Sequence, residues 1–81
     1  MLLAYLGRND LDPSDGELTL LVVAYDLARV RAARGSALPE PSGLLQERMA
    51  EAVVDLVLRR GMRDPWQVAT ATLRRIGQYP S

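Results

Sequence analysis

The stretch from Ser14 to Gly35, SDGELTLLVVAYDLARVRAARG, constrains the fold more than any other, because it carries a helix start, a helix stop and two apolar lines along its length. Ser14 followed three residues later by Glu17 spells a capping box, in which each side chain satisfies a backbone N–H at the other's end of the first turn. Asp15 and Glu17 place negative charge at the positive end of the helix dipole. Arg29, Arg31 and Arg34 place positive charge toward its negative end, and Gly35 suits a left-handed stop. At about 100° per residue, Leu18, Leu21, Tyr25, Ala28 and Ala32 fall on one line. Leu20, Val23, Leu27 and Val30 fall on a second, roughly 160° around the cylinder. A surface helix of a small monomer normally buries one stripe, so the second predicts contact with another helix, of this chain or of a second copy. The competing reading of LTLLVVAY as a buried strand rests on its adjacent valines and tyrosine, a run that periodicity separates poorly; the helix is preferred.

A chain of 81 residues makes one domain. At that size only about 60–65% of the unfolded surface is buried, and oligomerisation is a common remedy. With 48% hydrophobic residues, one Trp, three Tyr and no Phe, the core is aliphatic, built from the Leu and Ala that also favour helix. The formal net charge of zero argues against strong electrostatic binding to a polyanion. All ten basic residues are Arg. The absence of Cys, His and Lys removes thiol chemistry, the usual proton shuttle and Schiff-base chemistry. Met1 to Leu6 lacks a preceding basic residue and is short for a secretory signal, and the apolar run from Leu18 is broken by Asp26, Arg29 and Arg31 before about 20 residues. A cytoplasmic protein with no membrane span is the expectation.

Taken in order, MLLAYLG places Leu2, Leu3 and Leu6 at helical spacing and ends at Gly7, predicting one or two helical turns, or an extended arm, docked on the first long helix. RNDLDPSDG is a polar loop anchored by Leu11. Asp10, Asp12 and Ser14 resemble the start of a calcium loop, but Asp15 stands where Gly is needed and Leu21 where a bidentate Glu is needed. SALPEPSG is a loop in which Pro39 and Pro41 favour extended backbone and Ser42 caps the next helix. That helix is expected from about Leu44 to Arg60. Its main seam is Leu45, Met49, Ala52, Val53 and Leu56, widened by Ala50, Val54 and Val57; Glu47, Arg48, Glu51, Asp55 and Arg59 line the wet side, and Gly61 ends it. DPWQ is a further start signal, with Asp64 as cap, Pro65 at the first helical position and Gln67 completing a capping box. The last helix runs to about Ile76, with Trp66, Ala69, Leu73 and Ile76 on one face, Gln67, Thr70 and Arg74 opposite, and Gly77 as its stop. Tyr79 and Pro80 belong to a short tail.

Little here points to catalysis. Asp26 is set in an apolar helix, yet its strip also holds Thr19 and Arg29, so a solvated or Arg29-paired carboxylate is the expectation. Glu47, Glu51 and Asp55 share a face, but Arg48 and Arg59 interleave with them, which fits a solvated face better than a hard-metal site. The serines sit at caps and in loops without a His to activate them. No enzyme activity, cofactor, metal or small-molecule substrate is expected. Two helices joined by a Gly-containing turn give VVDLVLRRGMRDPWQVATATLRR a loose helix-turn-helix form. On that alternative Gln67, Thr70, Arg74 and Arg75 face bases, and Arg59, Arg60 and Arg63 meet phosphates, although Arg60 and Gln67 fall where apolar residues usually sit. Trp66 is a candidate interface anchor, a plug for the end of the bundle being its more ordinary role.

These observations predict an all-α chain with a single domain over residues 1–81. The expected architecture is a small three-helix bundle with a short N-terminal helical element, helices at about 15–34, 44–60 and 65–76, and an oligomeric assembly. The expected function is a non-enzymatic interaction module that binds a copy of itself or a helical partner through Leu20, Val23, Leu27 and Val30, with Trp66 as a further contact. A helix-turn-helix DNA-binding protein is the alternative.

Overall fold

The computed structural model describes residues 2–34 and 43–77, and all regular structure among them is helical. Helix α1 spans Leu2–Arg8, α2 Asp15–Arg34, α3 Gly43–Val54 and α4 Pro65–Arg75; α3 runs directly into a π-helical turn, Asp55–Arg59. Among the described residues no helix is long and apolar enough to cross a membrane. The stop expected at Gly35, the Pro39 and Pro41 loop with its Ser42 cap, and the Tyr79 and Pro80 tail lie outside the described residues.

The helix ends follow the side chains that satisfy their exposed backbone groups. At the start of α2 the Ser14 N–H donates to Glu17 Oε1 at 2.9 Å and the Glu17 N–H donates to Ser14 Oγ at 3.2 Å, the reciprocal pair of a capping box. At the start of α4 Pro65 occupies the first turn and the Asp64 carboxylate accepts from the Trp66 N–H at 3.0 Å, rather than closing a box with Gln67. Gly61 and Gly77 both take positive φ, +72° and +76°, and end their helices as expected. The first helix departs from expectation. It continues through Gly7 to Arg8 and turns at Asp10, whose φ is +55°, with the Leu11 N–H donating to the Leu6 carbonyl at 3.0 Å. Aspartate takes the left-handed region more readily than most residues because its short side chain bonds locally.

A second departure is the π turn, where an unbroken α-helix was expected. The Arg60 N–H donates to the Asp55 carbonyl at 3.1 Å, a span of five residues instead of four. The widened turn brings Arg60 as well as Arg59 to the side of Asp55, at 3.6 and 3.8 Å.

The core is aliphatic. Helix α2 buries Leu21, Ala24, Ala28 and Ala32. Its core face is therefore turned by roughly 35° from the expected seam, onto Ala24, leaving Leu18 and Tyr25 half-buried at its edge. One cluster joins Leu21 and Ala24 to Leu2, Leu6, Val53, Val57 and Val68, and a second joins Ala28 and Ala32 to Met49, Ala69 and Leu73. Met49 precedes Val53 and Val57 in sequence whereas Ala28 follows Leu21, so α3 runs opposite to α2; by the same ordering α4 runs alongside α2. Alanines at four-residue spacing permit close approach of α2 to its neighbours, toward the lower end of the usual 8–10 Å separation. Helix α1 lies mainly along α3, where Arg8 donates to Glu47 at 2.7 Å, and not chiefly on α2 as expected. On α4 the buried residues are Val68, Ala69, Thr72 and Leu73. Trp66 lies off this face and Ile76 is half-buried, which corrects the expected seam by about one residue.

Candidate docking face

The second apolar line of α2 divides in two. Leu20 and Leu27 are half-buried and pack against the two core clusters. Val23 and Val30 point away from the core and are 42% and 36% exposed. The cause is angular, since the core is centred between Leu21, Ala24 and Ala28, and a residue's distance from that line around the cylinder sets its exposure. Two residues that the sequence did not single out join the exposed valines. Val22 is 45% exposed on the far side of Asp26, and Leu3 of α1 is 65% exposed. Leu2, Leu3 and Leu6 are all at helical spacing, and the structure buries the Leu2 and Leu6 pair, which leaves Leu3 facing outward.

Leu3, Val22 and Val23 border one groove, and Val30 lies outside its lining, further along α2. The groove encloses about 450 Å³ and is lined by Leu2, Leu3, Val22, Val23 and Leu27, with Tyr25, Asp26 and Arg29 on its walls. Arg29 donates to Asp26 at 2.8 Å, so the carboxylate flagged by its apolar surroundings is an exposed, Arg-paired group. Burial pushes the Tyr25 pKa above its ordinary value, against the opposing pull of the Arg29 charge. The groove thus offers branched aliphatic surface crossed by a single ion pair.

Trp66 forms a separate feature. It is 57% exposed and does not plug the bundle. The Arg31 guanidinium lies 4.9 Å from the centre of the indole ring and donates to Thr70 Oγ1 at 2.8 Å. The ring is held in place by a cation on one face and presents the rest to solvent.

Most residues of the nucleic-acid alternative have partners within the chain. Arg75 donates to Asp55 at 2.8 Å, Arg60 and Arg59 approach the same carboxylate, and Arg63 lies 4.0 Å from Glu17. Thr70 holds Arg31, while Gln67 and Arg74 are exposed. The hydrogen bond from Arg75, followed by the charges of Arg75, Arg60 and Arg59, holds the Asp55 carboxyl below its ordinary value against some desolvation. The Ser14 backbone N–H, then its hydroxyl, do the same for Glu17, with a smaller pull from Arg63. Of the remaining carboxylates, Glu47 is held by Arg8, and among the described residues no group of three or more acidic side chains gathers as a metal site would require. No family model matches the chain, and no curated protein or solved structure matches it.

Proposed function

We propose that this chain is a non-enzymatic helical interaction module, a bundle of three main helices that docks a helix, of a second copy or of another protein, on the outer face of α2. The observation that carries this reading is the placement of Leu3, Val22, Val23 and Val30. All four are exposed, and they lie on or beside one rigid helix whose opposite face is fixed in the core. Isolated exposed aliphatics are ordinary on a monomer, but several bordering one groove are the mark of a surface that has a partner. Helix-in-groove recognition needs such a strip, with branched side chains to interdigitate and little conformational freedom to lose on binding. Trp66, held by Arg31, supplies a second contact of the type enriched at interface centres. The internal pairing of Arg59, Arg60, Arg63 and Arg75 with carboxylates favours this reading over DNA binding, which draws on uncommitted cations for phosphate contacts.

The test is site-specific photocrosslinking in the cells that express the chain. A benzoylphenylalanine in place of Val23 is expected to give one discrete adduct, identified by mass spectrometry, while the same probe in place of the exposed Glu51 gives none. Equal labelling from both positions, or from neither, refutes the docking face.

A further inference from the structure

The docking face of α2 carries its own complement. Thr19, Val22, Asp26, Arg29 and Ala33 follow one another at alternating spacings of three and four, with Val23 and Val30 beside them, which is the spacing of a two-stranded coiled-coil seam, here with a polar centre at Asp26 and Arg29. At its centre are one acid and one base, already joined at 2.8 Å within the helix. An apolar partner laid over this seam would strip water from Asp26 and Arg29 and return nothing, whereas a partner with the opposite charges in register would give each a second ion contact. A copy of the same helix meets that requirement in one direction only. Laid parallel, Asp26 faces Asp26 of the second copy and Arg29 faces Arg29. Laid antiparallel, Asp26 faces Arg29 of the second copy, and the two-fold axis repeats the contact. The same register sets Val22 against Ala33 of the second copy and brings Val23 alongside its Val30, so the aliphatic and charged positions match together.

We propose that the occupant of the α2 face is a second copy of this chain, packed α2 against α2 in antiparallel orientation, with a reciprocal Asp26 and Arg29 exchange setting direction and register. The proposal rests on the docking reading above and names its partner.

Charge reversal tests it, read by light scattering on a sizing column from micromolar to millimolar chain. The native chain is expected to reach twice the monomer mass. Asp26→Arg and Arg29→Asp alone each set like charges together across the axis and are expected to stay monomeric, with helicity checked by circular dichroism. Mixed in equal amounts, these two variants are expected to regain the doubled mass as a heterodimer. The chain with both substitutions is expected to pair with itself and not with the native chain. A native chain that stays monomeric throughout overturns the proposal; if the Val23 probe then crosslinks to a different protein, the docking face stands with another occupant. A native dimer indifferent to all the charge variants overturns the antiparallel register. A dimer that also survives Val23→Glu with Val30→Glu shows self-association through another face, and the docking reading fails with the proposal.

Discussion

Arg75 donates to Asp55 at 2.8 Å across 20 residues of sequence, fastening the last turn of α4 to the first residue of the π turn. Arg60 and Arg59 approach the same carboxylate at 3.6 and 3.8 Å, so one acid gathers three cations from two elements. Partly exposed ion pairs are individually weak, and Asp55→Asn is expected to lower stability by about 1 kcal/mol or less, measured by urea unfolding at neutral pH. The pH dependence is the sharper readout. The folded state holds Asp55 below its ordinary value of 3.8, so its contribution is present above that value and is lost as pH falls through the folded pKa. Between neutrality and the acid limb the difference between native chain and Asp55→Asn is expected to shrink toward zero. A gap that persists below that limb would show that Asn disturbs the π turn itself.

The capping box gives a second, separable quantity. Ser14→Ala removes the acceptor for the Glu17 N–H and is expected to cost about 1 kcal/mol, whereas Ser14→Gly costs a few tenths because solvent then reaches the freed amide. Thermal unfolding of the two variants side by side checks the order. Equal losses would place the contribution in the loop and not in the cap.

Leu27 and Val23 were read from the sequence as members of one stripe, and the structure predicts that they respond differently to the same change. Val23→Glu is expected to leave monomer stability within about 0.5 kcal/mol of native. Leu27→Glu removes a half-buried side chain from the cluster of Ala28, Met49 and Leu73 and is expected to cost about 1–2 kcal/mol. Urea unfolding at a dilution where any assembly is dissociated decides it. Similar losses at both positions would place Val23 in the core.

Thr72 is fully buried on α4 and its hydroxyl has no hydrogen-bond partner among the described residues. Valine fills nearly the same volume without a polar atom, so Thr72→Val is expected to raise stability by about 1 kcal/mol, seen as a higher urea midpoint at an unchanged slope. A loss would show that the hydroxyl is satisfied in solution.

The elements legible in the sequence were those written in local chemistry. Ser14 with Glu17, Asp64 with Pro65, and the glycines at 61 and 77 each act within a few residues, and they marked helix ends that the structure reproduces to within a residue or two. What was not legible depended on packing. Ala24 carries too little apolar surface to announce itself, yet its burial extends the α2 core face to one side of the expected seam, and with the face so turned Val22 is exposed along with Val23 and Val30. Leu3 could be assigned an outward direction only once Leu2 and Leu6 were known to point inward. Asp10 was passed over as a helix stop because Gly7 offered a cheaper left-handed residue three positions earlier. The π turn has no local signature, since Asp55 and Arg59 are equally compatible with an α-helical pair. For Trp66 the sequence left two roles open, interface anchor and plug for the end of the bundle, and its placement under Arg31 depends on a residue 35 positions away.

Helix α2 has its bulk on the wrong side. Ala24, Ala28 and Ala32 are buried to within a few per cent, while the branched valines face outward. Enlarging any of these alanines would wedge α2 away from its neighbours, at about 1–3 kcal/mol for each overpacked position. The valines carry no such constraint. The two sides of one helix are therefore under different physical constraints: the inner side holds the shape of the domain, and the outer side can change its side chains without moving the bundle. On the proposed reading, one or two substitutions on the outer side would be enough to change which helix docks there and would leave the fold untouched.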